Sequence, residues 1–132
     1  MSRLEDLQTA EEVLQEQLKD EEFRKLWEAM APARVIALRL VQFRVDHGLS
    51  QSALGRLLGM SQPAVARLES GEHLPTLPTL TRIAHALDIE ILVDIKPSPE
   101  AESWVSDEAE HDARVAERVR LTSGAEVLIA AR

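Results

Sequence analysis

Arg67, Gln62 and Ala64 fall within residues 51–70, QSALGRLLGMSQPAVARLES, and each has the chemistry to read one kind of base edge. A guanidinium can pair bidentately with guanine O6 and N7, a carboxamide with adenine N6 and N7, and a methyl group can meet the methyl of thymine. Such groups need a rigid platform narrow enough for a major groove, and the spacing around them describes one. A small residue stands at the fifth place (Gly55), glycine at the ninth (Gly59) and a β-branched apolar residue at the fifteenth (Val65). Two short helices that cross steeply need a residue without bulk where they touch, which Gly55 supplies. They also need a backbone that turns with φ > 0, which Gly59 supplies. Val65 then plugs the second helix onto the first, and the opposite face, with Gln51, Gln62, Ala64 and Arg67, is free to lie in a groove.

The elements that must hold this pair follow from caps and periodicity. Ser50 and Ser61 precede the two helices, each able to accept a bond from an orphan N–H of the first turn, and Pro63 lies where no internal bond is lost. Leu54, Leu58, Val65 and Leu68 fall inward. Thr9 with Glu12 predicts a capped helix over about 9–19, with Val13, Leu14 and Leu18 as its apolar stripe. Asp20 caps a second helix with Phe23, Leu26, Trp27 and Met30 at helical spacing until Pro32 interrupts. A third begins near Ala33, its face of Ile36, Leu40 and Phe43 widened by Val35, Leu38, Val41 and Val45, and Gly48 ends it. Thr76 caps a further helix with Leu77, Leu80, Ile83, Ala84 and Leu87 inward. Residues 89–95, IEILVDI, then read as a strand. A linker follows at 96–100, then a charged helix capped by Ser106 and running to about Glu117, then a hairpin over 119–131 with Thr-Ser-Gly at its turn.

Charge is uneven along the 132 residues. The chain carries −8, but residues 1–32 hold −5, residues 33–96 hold +1 and residues 97–132 hold −4. The segment with the helix pair alone is not acidic, so phosphate contact is expected from a local basic face, with acidic flanks discouraging indiscriminate binding. Three parts follow: a helical extension (1–32), the helix-turn-helix domain (33–96) and an acidic C-terminal helix and hairpin (97–132). There is no cysteine, hence no disulfide or thiolate site, and the absence of a long apolar run or signal-peptide layout predicts a soluble cytoplasmic chain. With two Trp, two Phe and no Tyr, no stacking platform for single strands is evident.

Residues 34–87 resemble the helix-turn-helix domain of the Cro/cI (XRE) repressor family. The likeness rests on Leu49-Ser50-Gln51, Gly59, the Arg67-Leu68-Glu69-Ser70-Gly71 exit, Pro75, and Leu80, Ile83, Ala84, Ala86 and Leu87. It implies a mainly α, lambda-repressor-like fold, here with an N-terminal helical extension and a small C-terminal β element. It also implies that Gln51 contacts phosphate, that Ser61, Gln62, Pro63, Ala64 and Arg67 face the groove, and that Arg44 and Glu69 form a structural salt bridge. Two positions depart from the pattern: Pro63 replaces a base-reading polar residue, and Glu72 stands where a basic loop residue grips phosphate. Residues 18–28, LKDEEFRKLWE, with the strand after the domain, resemble HigA-type antitoxins. That second likeness implies a repressor of its own operon on a palindromic site, and a basic ribonuclease toxin held by Leu14, Leu18, Phe23, Trp27 and Met30 among acidic neighbours.

Other readings stay open: a stand-alone regulator, or an interaction module without a toxin, with the apolar stripe packed on its own domain. His47, His73, His85 and His111 are not at ligand spacing, so no metal or cofactor is expected. Nothing groups the carboxylates with a nucleophile or a phosphate loop, which argues against an enzyme. The lone strand at 89–95 needs a partner, either the 119–131 hairpin or the same strand of a second copy, and a homodimer is expected.

Overall fold

The computed structural model describes residues 9–102, 112, 114–121 and 123–131. Six helices come first: α1 (Ala10–Gln17), α2 (Glu21–Ala29), α3 (Ala31–Asp46), α4 (Gln51–Leu58), α5 (Gln62–Glu69) and α6 (Leu77–Leu87). Three strands follow, β1 (Ile89–Asp94), β2 (Val115–Arg120) and β3 (Glu126–Ala131). They form one antiparallel sheet in the order β1-β3-β2, with Leu92 opposite Leu128 and Arg118 opposite Leu128 on its other side. The fold is therefore the expected mainly α helix-turn-helix domain with a helical extension and a small C-terminal β element.

The caps do what their side chains allow. Thr9 and Glu12 bond reciprocally in a capping box, Asp20 accepts from Glu22 and Phe23, and Thr76 accepts from Thr79. Pro32 does not interrupt. It stands in the first turn of α3, where its missing N–H has no helical partner to lose, so the helix starts at Ala31 rather than near Ala33.

The core gathers Ile36 and Leu40 of α3, Leu54 and Leu58 of α4, Val65 of α5, Ile83 of α6 and Ile129 of β3. Ile129 joins because β1 leaves α6 alongside the core and pairs with β3, which brings the end of the chain back under the helices. Of the residues expected on apolar faces, Val13 of α1 and Leu26 of α2 are exposed, and three more expectations fail in the domain itself. Leu38 and Val45 of α3 and Leu77 of α6 are largely exposed, because α3 packs along the narrower stripe through Ile36 and Leu40 and the first turn of α6 projects past the domain.

The charged helix expected up to Glu117 is corrected over its described end. Val115–Glu117 belongs to β2, where pairing with β3 satisfies the backbone that a short helix would leave to water, and the hairpin thus begins four residues earlier than Val119. Ser106 to His111 lie outside the described residues. A bulge between Val115 and Glu117 offsets the register. At the hairpin turn Gly124 has φ 92°, and a Cβ there would stand 2.6 Å from Pro99 Cα. The linker is thus laid directly on the turn, which admits only glycine.

Candidate nucleic-acid interface

Ser50 opens α4 by accepting from Ala53 N–H at 3.0 Å, and Gly59 closes it in the left-handed region at φ 68°. Met60 then donates its N–H to Gly55 O at 2.8 Å, and that carbonyl turn brings Met60 O to where a Gly55 side chain would begin. Ser61 opens α5 by accepting from Ala64 N–H at 3.3 Å. Val65, with none of its surface exposed, locks α5 onto α4. The two-helix geometry read from residues 51–70 is thus built by the glycines, serines and valine that predicted it.

Behind this pair a chain of polar side chains runs from the inside outward. Arg44 Nε donates to Glu69 Oε1 at 2.7 Å and Nη2 donates to Oε2 at 3.3 Å, while Nη1 reaches Leu49 O at 3.3 Å. Glu69 is 6% exposed and Arg44 24%. Gln51 Nε2 donates to the same carboxylate at 2.6 Å, and Gln62 Nε2 donates to Gln51 Oε1 at 2.8 Å. The end of α3 and the starts of α4 and α5 are thereby fixed to one buried carboxylate. One amide hydrogen of Gln62 is committed, so its carbonyl oxygen and second N–H keep a set direction at the surface.

Of the residues expected to face a groove, Ser61 at the N-cap and Gln62, Pro63 and Arg67 of α5 are exposed, and Ala64 is half-buried. Gln51, at the start of α4, donates its amide to Glu69 and accepts from Gln62, so it links the buried carboxylate to the start of α5. The sequence pairs Arg44 with Glu69 only through a family likeness. It gives no sign of the Gln51 and Gln62 links, because a carboxamide has no preferred partner until the fold supplies one. The arm residues are gathered as well, at some distance along the chain. Phe23 and Trp27 stack at 6.3 Å, and the Arg34 guanidinium lies 3.7 Å over the Trp27 ring while donating to Trp27 O at 2.6 Å. Phe23, Trp27, Met30, Leu14 and Leu18 are all half-buried, Leu26 is exposed, and neither α1 nor α2 has a fully buried residue.

The fold and this paired-helix surface define a helix-turn-helix domain. Residues 40–93 match the helix-turn-helix family model, of the XRE type. Over 75 residues the chain is 33% identical to the HTH-type transcriptional regulator SutR of Escherichia coli (strain K12), a match that spans 57% of this chain and 42% of that protein. The chain therefore spans less than half the length of that curated relative. It is also similar to the restriction-modification controller protein C.AhdI from Aeromonas hydrophila. There the identity is 34%, the cover 46% of this chain and 88% of that one, and the TM-score 0.41. No helix among the described residues is long and apolar enough to cross a membrane.

Proposed function

We propose that this chain is a sequence-specific DNA-binding transcriptional regulator, a HigA-like antitoxin that represses its own operon and neutralises a basic ribonuclease toxin. The observation that carries the DNA reading is the exposed side of α5, where Gln62 is held by the bonded chain to Gln51, Glu69 and Arg44. Pre-set donors and acceptors lose little freedom on meeting a base edge, which favours discrimination between sequences. The likeness to a transcriptional regulator supports the same reading. Because residues 33–96 carry only +1, a single domain holds phosphate weakly. Two copies acting on half-sites about 34 Å apart make up the affinity.

Arg67→Ala is expected to lower affinity for the best operator by about 1–3 kcal/mol and to relax preference at one base pair. Gln51→Ala removes the acceptor that fixes the Gln62 amide, so it blurs preference at a different base pair. Gel shifts of an operator set with each position varied read both effects. An Arg67→Ala chain that binds the best operator as well as wild type would remove Arg67 from the groove.

The toxin reading rests on α1 and α2. Their first turns carry Glu11, Glu12, Glu21 and Glu22, and beside these lies an apolar stripe that the domain covers only partly. Acidic charge speeds encounter with a basic protein, and aromatic anchors set how long it stays. Trp27 packs on Arg34 of its own chain, which favours a second reading in which the arm serves the fold and the regulator stands alone. Removing residues 1–29, up to the residue that precedes Met30 at the start of α3, separates the two. On the toxin reading the shortened chain loses the small basic protein encoded beside its gene and keeps operator binding. Trp27→Ala then weakens that complex by about 2 kcal/mol or more, beyond any single glutamate replacement in the arm. A shortened chain that unfolds, together with a full-length chain that binds no such protein, supports the stand-alone regulator.

A further inference from the structure

β3 is paired on both sides, so among the described residues β1 and β2 end the sheet. The hydrogen-bonding phase of β1 follows from its neighbour. Ala131 donates its N–H to Arg114 O on the β2 side, so the odd-numbered residues of β3 turn their backbone groups toward β2 and the even-numbered ones toward β1. Glu126, Leu128 and Ala130 stand opposite Asp94, Leu92 and Glu90, which therefore bond inward. Ile89, Ile91 and Val93 present their N–H and C=O groups to the outer edge.

These outward-bonding residues also carry the apolar side chains. Ile89 and Ile91 pack against the core under α6, and the row continues beyond it with Val93, 51% exposed, and Ile95, 80% exposed. Leu77, 74% exposed on the first turn of α6, lines the same groove as Val93. An edge with unpaired backbone groups and an apolar flank is a template for another strand.

We propose that a second copy of this chain docks on this edge, β1 against β1, antiparallel and with the two-fold axis at Val93. The occupant is a copy because the edge complements itself in one register. Pairing the outward groups sets odd residues opposite odd residues, which places the axis at residue 91, 92 or 93. An axis at Leu92 sets Glu90 opposite Asp94 twice, and one at Ile91 sets Asp88 opposite Asp94 twice. Like charges directly opposite one another repel. An axis at Val93 instead sets Glu90 opposite Lys96 twice and Ile91 opposite Ile95 twice, with Val93 against its own copy. Pro97 falls opposite Ile89 at each end of the ladder, where its missing N–H forfeits one bond per end. The product is a six-stranded sheet whose apolar row runs unbroken across the axis.

This deepens the repressor reading, which needs two copies, and association is measured without DNA so that the two can fail separately. Sedimentation equilibrium of the full-length chain is expected to give a dimer at micromolar concentration. Lys96→Glu and Glu90→Lys should each raise the dissociation constant roughly tenfold. The E90K/K96E double variant, which exchanges the two charges, should restore it. Circular dichroism shows whether each variant remains folded. Val93→Cys supplies the chain's lone cysteine at the axis, where a Cα separation of about 5.5 Å permits a disulfide, so it should form a covalent dimer on mild oxidation. Leu92→Cys should not. A monomeric wild type, a folded Lys96→Glu chain of unchanged affinity, an unrestored double variant, or cross-linking through Leu92→Cys would each overturn the proposal. Operator binding by a chain that stays monomeric would overturn it while leaving the DNA reading in place.

Discussion

Arg44→Ala is expected to lower the free energy of unfolding by about 3 kcal/mol or more. Glu69 is 6% exposed, and Arg44 supplies two of the three side-chain donors to its carboxylate, at 2.7 and 3.3 Å. Without the guanidinium the carboxylate keeps the Gln51 amide and stays too deep for water to replace what is lost. Glu69→Ala is expected to fall in the same range, since it strands Arg44 beside Leu49 O and also frees Gln51, and through it Gln62. Arg44→Lys should not rescue, because an ammonium cannot span both carboxylate oxygens and the Leu49 carbonyl with one planar fork. Chemical denaturation of the two single variants and the double variant measures this. The double should lose less than the sum of the singles, because the second removal no longer leaves a buried charge alone. Single variants that each cost under about 1 kcal/mol would show that the pair is dispensable to the fold.

The second large effect belongs to the C-terminal sheet, where Glu126 is 1% exposed at the start of β3 and binds both Arg118 and Arg120. Burial alone would raise its pKa. The hydrogen bonds and charges of the two arginines outweigh that, and the net shift is downward from the ordinary glutamate value. Removing both arginines strands a buried carboxylate and is expected to cost about 3–5 kcal/mol. Glu126→Ala should cost less, since Arg120 is 61% exposed and can turn to water. The sign with pH follows from the lowered pKa. Stability from this cluster is fully present above the unfolded value of about 4.3 and is lost as pH falls through the folded value. Thermal unfolding across pH 7 to 3 should therefore show wild type losing more stability below about pH 4 than Glu126→Ala does. Equal acid sensitivity in the two chains would mean that Glu126 is not held ionised by its arginines.

Much of the helical architecture was legible because its determinants are local. Ser50, Ser61, Thr9, Asp20 and Thr76 cap the helices they were expected to cap, and Gly59 takes the left-handed turn between α4 and α5. A cap or a positive φ is decided within about four residues, so it survives reading one residue at a time. Leu40, Leu54, Leu58, Val65 and Ile83 were likewise identifiable as core, since helical periodicity fixes a face. Periodicity cannot say how wide a stripe the neighbours cover. Leu38, Val45 and Leu77 therefore match the apolar pattern yet lie exposed.

The tertiary structure alone decided what depends on partners far along the chain. Val115–Glu117 continues a charged stretch that reads as a helix, and it is a strand because β3 offers it a ladder and Arg39 an ion pair with Glu117 at 3.1 Å. Glu126 follows the Thr-Ser-Gly turn with nothing local to mark it as buried, and it is buried because Arg118 and Arg120 fold over it. Gln51 donates to Glu69, and the direction of Gln62 follows from that bond. The sequence by itself determined the helices, their caps and the residue types on the outward face of α5, because short-range sterics and hydrogen bonding settle those. Which carboxylate holds which amide, and which strand edge stays open, was decided only when residues 18, 25 or about 40 places apart were brought together, since long-range pairing energies have no local signature.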